Sequence, residues 1–259
     1  MKYTLRNSPL YPFFSYSLLL LALLSISRLL LIGWQFERVG SIEHAFKVLA
    51  FGLRFDLIVI CMLWSVPAIL LLLTPHNRLL CELHTGLSKL WLMLTTVLFV
   101  FLEISTPAFI DQYDTRPNRI FFEYLETPFE VIKTSLYEYP LHFVVALVLL
   151  VILIRFLSGF NRRVFQALQP WPLLARIIVL PLLLLALLVG ARSSFDHRPA
   201  NASTAAFSND QLVNKLGLSS IYTVLSAVYN LRHEDSAGSK YGEMPAETMV
   251  AIMRQNMQK

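Results

Sequence analysis

The chain has 259 residues, 56% of them hydrophobic and 15% charged, with a mean hydropathy of +0.57. A soluble domain of that length does not carry so much apolar sequence in unbroken runs, and the short alternating segments of a membrane barrel are not visible. The net charge of +5 resides mainly at the ends of the apolar runs, not in a basic patch interleaved with aromatics. This excludes nucleic acid as a partner and makes the basic residues topology signals.

The first apolar run covers 11–34 and predicts an uncleaved transmembrane helix, because it is too long for a signal peptide and ends in Gly33-Trp34-Gln35. Arg28 lies within it, where it either snorkels or faces a neighbouring helix. The second span is predicted over 46–73 and the third over 87–109, joined by a short basic loop. The fourth follows over 141–157 and the fifth over 171–189. Pro67 and Pro181 fall inside spans, where neighbouring helices make them tolerable. Cys61 in an apolar run and Cys81 in the basic loop read as free thiols.

Loop charges orient the chain. Lys2 and Arg6 precede the first span, and Arg78 and Lys89 follow the second. Arg155, Arg162, Arg163 and Arg176 follow the fourth with no acid among them. By contrast, 111–140 holds six acids against Arg116, Arg119 and Lys133. Basic loops stay inside, so the N-terminus is expected in the cytoplasm and everything after the fifth span outside. The fold class is therefore an all-α membrane protein of five transmembrane helices plus outer-face amphipathic helices. It comprises a transmembrane domain over 1–191 and an extracytoplasmic linker and tail over 192–259.

Within the acidic outer segment, Ile120, Phe121, Tyr124, Leu125, Ile132 and Leu136 recur at helical spacing. They predict an interfacial helix over about 118–138, with Pro128 breaking it or opening a second short helix. In the tail, 197–210 reads as an extended linker. Ser208 or Asn209 is expected to cap a helix running to about 231, 233–242 to be polar and flexible, and Pro245 to open a last helix over 246–258.

Arg54 and Asp56 put charges into an otherwise apolar span, and Glu103 falls at a similar depth one turn before Pro107. Two residues apart, Arg54 and Asp56 leave their helix on different faces and cannot simply pair. Glu103 is the natural partner for Arg54. This cluster is either an interhelical ion pair or a pocket for a lipid head group, whose phosphate an arginine fork binds at two points. Proton or ion transport fits less well, because the middles of the spans are apolar. Asp111, Tyr113, Asp114, Arg116, Asn118 and Arg119 follow directly. They form either a charged collar over that pocket or a solvated loop with local salt bridges. The six histidines are scattered, and no zinc-ligand spacing, P-loop, nucleophile elbow or HExxH occurs.

Three stretches carry a resemblance. The Gly52-Leu53-Arg54-Phe55-Asp56 element opens it. Glu103-Ile104-Ser105-Thr106-Pro107 follows, then Tyr113-Asp114-Thr115-Arg116-Pro117-Asn118 with Phe122-Glu123-Tyr124-Leu125. Together with five spans they resemble the membrane part of the lipoteichoic acid synthase-like family of bacterial phosphoglycerol transferases, in the sulfatase and alkaline phosphatase superfamily. The related phosphoethanolamine transferases share the five-helix plan. The resemblance implies a bacterial inner-membrane protein that anchors and presents phosphatidylglycerol. Its catalytic α/β domain, with a threonine nucleophile and a divalent metal such as manganese, is expected downstream or in trans. No catalytic or metal residue carries over to this chain, so the resemblance implies no cofactor here and no activity alone. A non-catalytic membrane scaffold and a small transporter are the competing expectations.

Overall fold

In the computed structural model, the described residues are 8–74, 77–165, 172–194, 197, 199–238, 248–250 and 253–254. Among them the chain is all helix, apart from turns and connections. Five helices are long and apolar enough to cross a membrane: α1 (Tyr11–Trp34), α3 (Ile42–Leu73), α4 (Arg78–Tyr113), α7 (Pro140–Val164) and α8 (Leu173–Arg192). The chain is thus an all-α, multi-pass membrane protein. Shorter helices fill the connections: α2 (Phe36–Val39), α5 (Arg119–Glu126), α6 (Pro128–Glu138), a 3-10 turn (Ala202–Ala205), α9 (Gln211–Leu216) and α10 (Ser220–Gly238).

The α1 bounds agree with the apolar run. α3 and α4 are longer than expected, at 32 and 36 residues. At 1.5 Å per residue they measure about 48 and 54 Å, well beyond a hydrocarbon core of about 30 Å. The expected basic loop is in fact the first turns of α4, capped by the Asn77 side chain accepting from the Leu79 amide at 3.0 Å. Arg155, Arg162 and Arg163 likewise belong to the end of α7 and Arg176 to α8. Pro128 opens α6 as its first residue, so the interfacial segment is two helices. Neither α5 nor α6 has a buried residue.

α1 packs against both α3 and α4; α8 lies along α3, and α7 along α4 with α1 beside it. The core begins with Tyr16, Leu20 and Leu24, which fall four residues apart on one face of α1. It continues through Trp64, Phe99, Leu102 and Leu157, all buried. Its polar atoms are satisfied: the Tyr16 hydroxyl donates to Asn161 Oδ1 at 2.7 Å, and Trp64 Nε1 to Thr95 Oγ1 at 3.2 Å.

Lipid offers no hydrophobic force between helices, so polar contacts and small residues must hold α8. Two arginines do so reciprocally. Arg54 of α3 donates to the carbonyl of Ser193, the C-cap of α8, while Arg176 of α8 donates to the Leu72 and Thr74 carbonyls at the C-terminus of α3. Each guanidinium thus satisfies orphan carbonyls at the negative end of its neighbour. Between them, Gly190 lies so close to Cys61 that an added Cβ would be 2.5 Å from Sγ. Neither cysteine is in a disulfide.

The tail differs from the expected linker and single helix. Residues 202–205 form the 3-10 turn, and its Ala205 is buried. Asp210, not Ser208 or Asn209, caps α9 by accepting from the Leu212 amide at 2.8 Å. The helix then breaks at Gly217–Ser219 and restarts as α10. Leu212, Val213 and Leu216 of α9 are fully buried against Leu31, Val39, Val48 and Ile110. The chain divides into two units, Met1–Val224 and Leu225–Lys259. In the second unit, α10 continues through 233–238, where a polar, flexible segment was expected, and the His233 ring lies 4.0 Å from that of Tyr229. Of the expected last helix, 248–250 and 253–254 are helical, and the remainder lies outside the described residues.

Candidate functional site: a buried four-charge network

Two ion pairs are buried where α1, α3, α4 and the start of α10 meet. Arg28 Nη1 and Nη2 donate to Asp56 Oδ2 and Oδ1 at 2.9 and 3.0 Å, a two-point pairing with both side chains essentially inaccessible. Gly52, one turn before Asp56 on the same face of α3, makes room: a Cβ there would be 2.1 Å from Arg28 Cζ.

The second pair is Glu103 of α4 with Arg116. Arg116 Nη1 donates to the two Glu103 oxygens at 2.9 and 3.1 Å. Glu103 also accepts from the Ser27 hydroxyl of α1 at 2.9 Å and from the Ser220 amide at 3.0 Å. Ser220 is the first residue of α10, so the carboxylate receives an orphan amide at a helix N-terminus. Arg116 does the converse for α9: Nε and Nη2 donate to the carbonyls of Lys215 and Leu216 at 3.0 and 3.3 Å. One salt bridge therefore spans the break between α9 and α10. Ser220 Oγ accepts from Arg116 Nη1 at 2.8 Å and bonds Thr106 Oγ1 at 2.7 Å, which completes the join. The two pairs adjoin, since Ser27, which donates to Glu103, directly precedes Arg28 in α1, and their four formal charges sum to zero.

The sequence-derived site divides accordingly. Asp56, Glu103 and Arg116 come together. The expected Arg54–Glu103 pair does not form, because Arg54 lies about 200° around the helix from inward-facing Asp56 and turns to α8. Of the two expectations for Arg28, it faces a neighbouring helix, α3, and does not snorkel to solvent. Ser27 and Ser220 carried no sequence signal of their own. The Gly52–Asp56 spacing, a gap beside an acid on one helix face, is the feature that could have pointed to a bulky partner such as Arg28.

The collar residues other than Arg116 lie apart from this network. Asp111 is exposed. The Tyr113 and Tyr124 hydroxyls hydrogen-bond each other, and burial with that bond pushes the Tyr124 phenol up to about 12. Asn118 caps α5 by accepting from the Ile120 amide at 3.0 Å, and Arg119 pairs with Glu123 at 3.5 Å. Asp114 and Asp210 share Arg38, which donates to both carboxylates. Bonding to Arg38 holds both acids below the usual carboxylate range. Their contribution is therefore complete above pH 3.8, the ordinary aspartate value, and lost as pH falls through their lowered values. The groups are partly exposed, so Arg38→Gln should cost no more than about 1 kcal/mol at pH 7. The difference between Arg38→Gln and wild-type melting midpoints should shrink as pH falls below the ordinary aspartate value and through these lowered ones; a difference that stays constant on acidification would refute the assignment.

Among the described residues no three His, Cys, Asp or Glu side chains converge as metal ligands. No protein-family model matches the chain, and no solved structure matches it.

Proposed function

We propose that the chain is the membrane-anchoring and lipid-presenting part of a phosphoglycerol-type head-group transferase, working with a catalytic α/β domain in the same polypeptide or in trans. The observation that carries this reading is the Glu103–Arg116 bridge, which fixes the segment after α8 to the membrane bundle through buried charges. A catalytic domain that works on head groups needs such an attachment, because its reactive group must be held at a set height above the leaflet. With Asp56, Glu103 and Arg116 satisfied by protein, Arg54 becomes the principal head-group ligand. It is only half-buried, and its bonds to Ser193 use Nε and Nη2 and leave Nη1 for a phosphate. α5 and α6 support the same reading. No residue of either is fully buried, and Phe129, Ile132, Leu136 and Tyr137 of α6 are exposed, as suits helices lying in the outer interface.

Deleting the gene should reduce turnover of isotopically labelled phosphatidylglycerol head groups in cells, and the wild-type gene should restore it. Arg54→Ala should restore several-fold less at equal protein level. Head-group turnover that is indifferent to the deletion would overturn the reading, and a stably copurifying non-enzymatic partner would favour a scaffold instead.

A further inference from the structure

The opposite end of the bundle carries a second polar feature. α1 begins there, and α7 ends there, as the Tyr16–Asn161 hydrogen bond shows. α4 begins there too, with Lys89 over the Phe165 ring. On α7 the packed face is Leu153, Leu157 and Val164. At 100° per residue, Arg155 and Arg162 lie about 200° and 180° from Leu153, directly opposite that face. Both are exposed, and their apolar neighbours Ile152 and Phe156 are exposed with them. Two guanidiniums therefore point away from the protein, about 10 Å apart along the axis.

Among the described residues neither pairs with an anion. No Asp or Glu occurs anywhere between Glu138 and Asp196, a stretch that includes both α7 and α8. The one carboxylate near the start of α4, Glu82, is taken by Arg78. Between the two arginines, on the same face, is Gly159. Packing does not demand this glycine, since an added Cβ would meet nothing within 4 Å. Its effect is to leave bare backbone and open space between two cations.

We infer that Arg155, Gly159 and Arg162 form a binding notch for the phosphate of an anionic phospholipid, in the leaflet whose head groups lie at the basic end of the bundle. A guanidinium on a lipid-facing helix is costly without a counter-charge, and phospholipid phosphate is the anion present at that surface. Its paired oxygens match the guanidinium fork. Arg155 lies about 13 Å inside the end of α7, so it reaches the head-group level by extending along the helix past the Gly159 gap. This site is at the far end of the bundle from Arg54 and does not depend on the proposed function.

The test is native mass spectrometry of the purified full chain, titrated with phosphatidylglycerol or phosphatidylcholine. The wild type should retain one tightly held phosphatidylglycerol at this site, preferred at least tenfold over phosphatidylcholine. Arg155→Gln with Arg162→Gln should retain one fewer and lose that preference, with an unchanged melting midpoint in phosphatidylcholine. Gly159→Leu, which keeps both charges and fills the notch, should lose the same lipid. Equal retention in all three proteins would overturn the inference. So would displacement of the lipid by millimolar inorganic phosphate, which indicates a soluble-anion site. A change of oligomeric mass in the variants without lipid loss would make this a protein–protein face, and would overturn it too.

Discussion

Glu103→Ala should lower the stability of the purified protein by about 3–5 kcal/mol, because it leaves the Arg116 guanidinium buried without its anion. The loss should be largest in the tail. Without the carboxylate, the Ser220 amide and the Ser27 hydroxyl lose their acceptor as well, and the join between α9 and α10 loosens. Hydrogen exchange across 202–224 should therefore accelerate more than exchange in α1 or α3. Buried ion pairs gain little over a well-packed apolar pair but are expensive to break. Replacing both partners, Glu103→Met with Arg116→Met, should accordingly cost less than either single change. A double variant as unstable as the sum of the singles would show that the two side chains act independently.

Gly52→Ala is a change of one methyl group with a comparable expected penalty. A Cβ placed 2.1 Å from Arg28 Cζ overlaps the guanidinium itself. A flexible arginine would ordinarily move aside, but this one is buried and held at two points by Asp56. Moving it separates a desolvated pair, at about 3–5 kcal/mol. Gly33→Ala is the control, since its added Cβ meets nothing within 4 Å. It should be neutral or slightly stabilising, alanine being the better helix former by up to about 1 kcal/mol. In an Arg28→Ala, Asp56→Ala background the Gly52→Ala penalty should largely disappear. Equal melting midpoints for Gly52→Ala and wild type would mean that the close approach is not a feature of the folded protein.

The spans themselves were legible because an apolar run of about 20 residues has few other uses. α1 needed nothing more. The starts of α3 and α4 were not legible, since once a helix leaves the hydrocarbon its sequence turns amphipathic and resembles a loop with Arg78, Glu82 and Lys89 in it. The break between α9 and α10 was hidden for a different reason. The apolar spacing continues through Leu216, Leu218 and Ile221, and the groups that bond across the break, Glu103, Thr106 and Arg116, are distant in sequence. The charged residues were visible one by one, but their partners were not. Pairing depends on the rotation of each helix about its axis, which a list of charges in apolar runs does not contain. Arg54 illustrates this: its partner is no carboxylate but the Ser193 carbonyl, and nothing in the sequence places the end of α8 beside it.

The balance of the buried network has an electrical consequence. A membrane potential does work of about 2.3 kcal/mol per 100 mV on each elementary charge it carries across. The formal charges of Arg28, Asp56, Glu103 and Arg116 add up to zero, in two buried pairs that lie together in the bundle. A displacement of that cluster as a body transfers no charge, so energising the membrane neither pulls on it nor loosens the join it makes with the tail. The attachment of α9 and α10 should thus be the same in energised and de-energised membranes.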